Sequence, residues 1–216
     1  MNLLYQEKRQ GYYSLVRSEV LPLLPRNSNR VLEIGCGAGD TLAYLKSNGI
    51  CEWTGGVEIF PDAAEQARKK GIDMVEEGNI ETLTLPIGAG SIDVILCLDV
   101  LEHLVDPWMT VRKLHAFMKP GGVMITSLPN VRNLKVIVPL ILFGDWKYTK
   151  EGLLDKTHLR FFTRKTAVEL MECSGLKVDK VPTFFQHGSK AAIANTLTFS
   201  LFKNFLQFQY LIRAVN

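Results

Sequence analysis

Val31-Leu32-Glu33-Ile34-Gly35-Cys36-Gly37-Ala38-Gly39-Asp40 is an apolar run, carrying one acid, that breaks into three glycines at alternate positions. A helix-like segment, Thr41 to Ser47, follows it. Read physically, a buried strand ends in a turn that glycine backbones fit. Glycine tolerates positive φ and lets a ligand approach the main chain closely. The helix beginning there offers unpaired N–H groups at its first turn. The stretch reads as a nucleotide-type binding turn, and its neighbours must say which nucleotide.

The dinucleotide fingerprint is GxGxxG, whereas this chain has GxGxG and then Asp40. A carboxylate at the helix start would repel a pyrophosphate, and Glu33 adds a second negative charge just before the turn. No GK[ST] follows to make a phosphate loop. Two acids around the turn suit a ligand with cationic groups, such as an ammonium or a sulfonium. A helix cap plus a solvated acid is an equally open reading of the pair. Glu58 ends the next strand, where an acid can accept both hydroxyls of a ribose.

Outward from the turn, strands and helices alternate. Strands are expected at 30–34, 53–59, 73–76, 91–98 and 123–127, with helices at about 39–48, from Pro61 to Gly71 and from Asp106 to Met118. Ser91 to Leu98 is nearly continuous in Ile, Val and Leu, as for a strand covered on both faces. The alternation predicts parallel βαβ units in a doubly wound α/β sheet. Residues 3–21 read as a helix stopped by Pro22 and Pro25, a helical cover over 1–25, and Lys119-Pro120-Gly121-Gly122 as a sharp turn. After Pro129 the rhythm breaks. Residues 130–162 form an insertion long for a βα connection, and such loops tend to be functional. A helix from Thr163 to Ser174, strands at 177–185 and 208–214, and a helix near 190–205 complete one expected domain, 1–216.

Composition narrows the class. With 216 residues, 47% hydrophobic and 22% charged, the chain suits a globular α/β domain. A net charge of +3 from scattered Lys and Arg is too small to argue for a nucleic-acid partner or an anionic membrane. Cys36, Cys51, Cys97 and Cys173 show no CxxC pair and no metal-ligand spacing with the four histidines. Buried thiols in a reducing cytoplasm are expected, and no metal. The amino terminus lacks a signal-peptide core. Val136 to Phe143 is far below the ~20 residues needed to span a bilayer, and the longer run from Ala191 is interrupted by polar residues.

VLEIGCGAG, GVEI with Glu58, Glu77-Gly78-Asn79-Ile80, SIDVILCLDVLEHL and MKPGG, in that order over about 100 residues, resemble the class I S-adenosylmethionine-dependent methyltransferases. The resemblance implies a Rossmann-like seven-stranded sheet in order 3-2-1-4-5-7-6 with the last strand antiparallel. It also implies S-adenosylmethionine as methyl donor and S-adenosylhomocysteine as product. By that resemblance Glu33 and the turn Gly35, Cys36, Gly37 and Gly39 would hold the methionine part. Glu58 would take the ribose, Ile59, Asn79 and Ile80 the adenine, and Leu98 and Asp99 would line the methyl-transfer mouth. Asn79 stands where the family more often has Asp. MKPGG followed by SLPN (127–130), then FGDW, KYT and EGLLDKTHLRFFT, is similar to bacterial methyltransferases found with glycosyltransferases of surface polysaccharide synthesis. GGVEI also resembles the MetW-like proteins, which lack DKTHLRFFT.

If the acceptor is a hydroxyl, a general base adds typically 10²–10⁴-fold. His103, just past the fourth strand, and His158, in the insertion with Asp155 and Arg160, are the candidates. Asp155 could orient the imidazole, and Arg160 could grip a hydroxyl pair or an anion. Tyr12, Tyr13 and Arg17 could close over the donor, and Trp146 and Tyr148 could stack on a sugar ring; structural roles for these five and for both histidines stay open. The expectation is O-methylation of a small-molecule or carbohydrate acceptor by a cytoplasmic enzyme, acting alone or as a homodimer. Two alternatives stand beside it: a donor-binding regulatory or partner protein without transfer activity, and a methyltransferase acting on a quinone-like or lipid acceptor entering along 136–143.

Overall fold

The computed structural model describes residues 15–183, 185 and 190–216. Tyr12, Tyr13 and His187 lie outside the described residues. Seven strands form one sheet: β1 (Arg30–Ile34), β2 (Trp53–Glu58), β3 (Met74–Glu77), β4 (Ile92–Leu98), β5 (Met118–Pro129), β6 (Lys177–Lys180) and β7 (Gln209–Val215). Their order is β3-β2-β1-β4-β5-β7-β6. β1 to β5 run parallel, while β7 is antiparallel to both β5 and β6. The expected fold is the observed one.

Residues alternate between two cores because successive side chains of a strand point to opposite faces. Leu32 and Ile34 of β1 join Ile95, Leu114, Met124, Leu170 and Tyr210 on one face. Val31 of the same strand joins Leu42, Leu45, Ala67, Val94, Leu96, Ile125 and Leu211 on the other. The first face is covered by α3 (Pro107–His115) and α5 (Arg164–Glu172), the second by α1 (Asp40–Ser47) and α2 (Pro61–Lys69). β1 and β4 are neighbours whose following helices go to opposite faces, so a crevice opens at their carboxyl ends, as in open α/β sheets generally.

Helix starts follow local chemistry. Asp106 accepts the Met109 N–H at 2.9 Å, with Pro107 in the first turn. Thr163 and Thr166 form a reciprocal capping box for α5. His115 bridges the Ser174 carbonyl and the Asn216 side chain, a tie between α3 and the end of the chain rather than a site group.

Several boundaries differ from expectation. Residues 15–17 are not helical, and Pro22 lies inside a short 3₁₀ turn, Ser18–Leu23, instead of ending an α-helix. Lys119-Pro120-Gly121-Gly122 is part of β5, with Gly121 at φ +75°; the backbone stays in the sheet because Gly121 N–H and Gly122 carbonyl bond Asn216. The expected 190–205 helix is two, α6 (Lys190–Leu197) and α7 (Lys203–Leu206). The insertion contributes α4 (Leu134–Phe143) and rejoins the sheet through a parallel bridge between Asn130 and Phe162.

Gly39 caps α1 at φ +77°, and a Cβ there would stand 3.0 Å from the Ala67 Cβ and 3.2 Å from its Cα. Its role is the close packing of α1 on α2. Gly39→Ala therefore adds left-handed strain to a backbone clash and should destabilise the fold by about 2 kcal/mol, read as a shifted denaturant midpoint.

Candidate functional site

At the carboxyl edge of β1, β2 and β4 lies a cavity of about 590 Å³. Glu33, Gly35, Cys36, Gly37, Glu58, Ile59, Asn79, Ile80, Leu98, Asp99 and His103 all line it, brought there from five separate segments. Gly39 does not; the α1–α2 packing that holds it turns it away from the crevice. Asp40 is also elsewhere: its carboxylate pairs with Lys70 at 2.7 Å, linking α1 to the end of α2. The cationic-ligand argument built on two acids thus rests on Glu33 alone.

The glycine turn is held by Glu58. One carboxylate oxygen accepts the Gly37 N–H at 2.8 Å and the other accepts the Phe60 N–H at 3.0 Å. The Gly35 and Cys36 N–H groups are already spent on the Val57 carbonyl, which locks β1 to β2 at the turn. Gly35 has φ +69°, and a Cβ there would fall 2.5 Å from the Val100 side chain. Asn79 folds back to accept the Glu81 N–H at 2.9 Å, fixing the loop that ends at Ile80. Burial raises the Cys36 thiol, so it contributes shape, not a nucleophile.

The mouth joins the expected Asp99 and Arg17 to a residue given no role from the sequence, Ser127. Asp99 adopts φ +55°, unusual for a non-glycine residue. Its N–H is accepted by the Ser127 hydroxyl at 2.9 Å, and that hydroxyl donates to the Asp99 carboxylate at 2.8 Å. Arg17 completes the cluster, donating to Asp99 at 2.8 Å and to Glu19 at 2.5 Å. Leu15, Arg17 and Glu19 line the cavity, and Thr41 accepts the Arg17 backbone N–H at 3.2 Å. Ser127 opens the SLPN run, which gave it no role; the β4–β5 register, pairing Leu98 with Ser127, sets it beside Asp99.

The insertion is not where the sequence suggested. Among the described residues, none from 130 to 162 lines the cavity. It docks instead on the rim after β4, where the Glu102 carbonyl accepts the N–H groups of Leu159 and Arg160 at 2.8 and 3.0 Å. Arg160 donates to the Val105 carbonyl and lies over Trp108, so it staples the insertion and does not face the cavity. Asp155 accepts the Thr157 N–H and hydroxyl at 2.8 and 2.6 Å, shaping its own turn. Trp146 packs edge-on against Phe161, as an apolar plug does. His158 is 8% exposed and stands behind His103, with ring centroids 4.8 Å apart and its Nε2 4.0 Å from the Glu102 carboxylate. His103 bonds the Thr157 carbonyl through Nδ1 at 3.1 Å. A carbonyl only accepts, so that nitrogen carries the proton, and in the neutral ring Nε2 is the basic atom.

Glu33 is 4% exposed, and among the described residues its Oε2 has no hydrogen-bond partner. Burial pushes its pKa up to about 8 from 4.5, Arg17 opposing and Glu58 and Asp40 reinforcing the rise. Burial raises Glu58 as well, against the backbone N–H groups that favour its charged form. An orphaned buried carboxylate facing a cavity is the complement of a cationic ligand group. A carboxyl whose folded pKa is raised is at no disadvantage below its unfolded pKa, and costs stability as pH climbs toward the folded value. Glu33→Gln should therefore match the parent near pH 4.5 and exceed it progressively up to pH 8. There the gain should be on the order of 3 kcal/mol, read from the difference between paired denaturation curves.

Comparison with known proteins agrees with this geometry. A family model described as a methyltransferase domain matches residues 5–181. A ubiquinone biosynthesis O-methyltransferase of Cereibacter sphaeroides is 30% identical over 158 residues, covering 71% of this chain and 62% of that protein. The protein of the same name from Cupriavidus pinatubonensis is 25% identical over 162 residues, covering 68% and 63%. The chain thus spans less than two thirds of the length of these relatives. A solved SAM-dependent methyltransferase of Thermotoga maritima superposes with a TM-score of 0.62 at 25% identity, over 91% of this chain and 85% of that one. The donor that family and fold imply is S-adenosylmethionine, and the orphaned Glu33 oxygen and the glycine-lined turn suit its ammonium end. The chain belongs to the S-adenosylmethionine-dependent methyltransferase domain family.

Proposed function

We propose that the protein transfers a methyl group from S-adenosylmethionine to a hydroxyl of a small molecule, with carbohydrates the first acceptor class to test. His103 carries this reading. It lines the cavity beside Asp99, and the Thr157 carbonyl holds its ring so that Nε2 is the basic nitrogen. The shared name of the curated relatives specifies O-methylation, which supports oxygen as the accepting atom. The similarity of the DKTHLRFFT segment to polysaccharide-associated methyltransferases supports a sugar. The relatives' quinone pathway supports a phenolic hydroxyl as the second class.

When bound, the donor supplies an electrophilic methyl group on sulfonium. Glu58 would accept the ribose hydroxyls with the lone pairs its two backbone bonds leave over, and Asn79, Ile59 and Ile80 would frame the adenine. Glu33 and the Gly35–Gly37 backbone would meet the methionine end. Because such a donor is intrinsically reactive, holding the acceptor in line can supply much of the rate, up to ~7–11 kcal/mol in well-oriented systems. His103 would take the acceptor proton at Nε2. His158 and Glu102, stacked behind it, are positioning residues that favour the imidazolium as it forms. The Arg17–Asp99–Ser127 cluster sets the width of the mouth.

Three sets of measurements test this. S-adenosylhomocysteine at ~100 times its dissociation constant should add about 2.7 kcal/mol, which for a chain of this length is roughly 5–10 °C in melting temperature. Glu33→Gln should weaken that binding by about tenfold, as loss of one charge-assisted contact. His103→Asn should lower kcat by 10²–10⁴-fold with donor affinity unchanged, and remove the ascending limb of the pH–rate profile. A His103→Asn enzyme with full turnover would leave positioning alone as the mechanism. Screening sugar nucleotides against catechols assigns the acceptor class.

A further inference from the structure

α4 (Leu134–Phe143) reads LKVIVPLILF, apolar but for Lys135, yet it buries one residue, Val136. Ile141 is 76% exposed and Phe143 78%, with Leu134, Val138, Leu140 and Leu142 also exposed. A helix hydrophobic all round is ordinarily buried. The segment joining α6 to α7 repeats the anomaly: Leu197, Phe199, Leu201 and Phe202 are exposed, Phe199 at 90%.

The two segments share one root. Asn130 donates to the carbonyls of Asn204 and Gln207, both at 2.9 Å, and Asn133 donates to those of Leu206 and Gln207 at 3.2 and 3.0 Å. The Arg132 guanidinium lies 4.5 Å over the Phe205 ring. Asn130, Asn133 and Gln207 are buried, so the join is built into the fold. It sits at the carboxyl end of β5, where Pro129 pairs with Gln209, and Gln209 lines the cavity. The apolar surface therefore adjoins the mouth.

Charge identifies what covers it. From Lys190 to Asn216 there is no Asp or Glu; Lys203 is exposed there, while Arg213 is paired with Asp179 across β6 and β7. Around α4 stand Arg132, Lys135, Lys147 and Lys150, against Asp145 and Glu151. Lys135, Lys147 and Lys203 are exposed among the apolar residues, and Trp146 and Tyr148 follow α4 directly. Exposed Leu, Ile and Phe interleaved with cations and flanked by Trp and Tyr match the interface of an anionic bilayer. A second protein copy would bring the same cations against themselves. At ten residues α4 is about 15 Å long, and no helix among the described residues is long and apolar enough to cross a membrane.

We propose that α4 and the α6–α7 segment form a monotopic docking surface for membranes rich in anionic phospholipid, seating the cavity mouth at the headgroup level. The full chain should co-float with phosphatidylcholine vesicles containing about a quarter phosphatidylglycerol at least tenfold more than with pure phosphatidylcholine. That preference should fall as NaCl rises from about 0.05 to 0.5 M, when the Debye length shrinks severalfold. Ile141→Asp/Phe143→Asp should abolish flotation while S-adenosylhomocysteine still raises the melting temperature as in the parent, since both side chains project from the fold. Lys135→Glu/Lys203→Glu should weaken flotation on the anionic vesicles only. No flotation on anionic vesicles, equal flotation of the aspartate variant, or a stable dimer in solution that the aspartate variant dissociates would each overturn the proposal.

Discussion

An ionisable acid inside a strand, with one oxygen left without a partner among the described residues, is the constraint on which the rest of the site turns. Glu33 sits in β1 between Leu32 and Ile34, each of which belongs to the core. Its burial lifts its pKa to about 8, so near neutral pH it is poised between charged and neutral forms. A fold tolerates such a residue when a ligand repairs it. Glu58 meets the same edge in the opposite way, its two oxygens already engaged by the backbone of the turn it stabilises. One acid closes the turn and the other waits for a cation.

Around that pair the molecule divides its labour. The parallel strands and the glycine turn make the floor. The segment from Leu15 to Glu19 makes a wall, pinned through Arg17 to Thr41, Asp99 and Ser127. The strain at Asp99 is absorbed by the Ser127 hydroxyl, which both accepts from its backbone and donates to its side chain. The insertion after β5 buttresses the rim through Glu102 and Val105 and stacks His158 behind His103. Its first helix, meanwhile, presents a greasy surface outward.

How much of this was legible in the sequence depended on whether the chemistry was local. The turn, Glu33 and Glu58 lie within short segments that one-dimensional reading reached, and Asn79 was named by resemblance; of these, Glu33, Gly35, Cys36, Gly37, Glu58 and Asn79 line the cavity. Gly39 and Asp40 were misread because their partners, Ala67 and Lys70, sit on another helix nearly 30 positions away. The pairing of Arg17 with Ser127 was not legible, since it depends on the β4–β5 register and on the reach of the Arg17 guanidinium to Asp99 and Ser127. Asp155 and Arg160 looked like a catalytic set by proximity to His158, yet backbone groups claim both for the shape and attachment of the insertion.

What the sequence determined by itself was the alternating pattern of apolar runs, glycines and caps, and with it a doubly wound α/β sheet with a glycine turn after its first strand; the strand order and the donor's place on that turn came from the resemblance to the methyltransferases. The alternation follows from local burial patterns and from the conformations glycine adopts, both properties of neighbouring residues. What only the tertiary structure decided was which histidine faces the cavity, which acid is orphaned and which apolar helix is left uncovered. Burial and hydrogen-bond satisfaction are set by groups distant in the chain, and no local pattern encodes them.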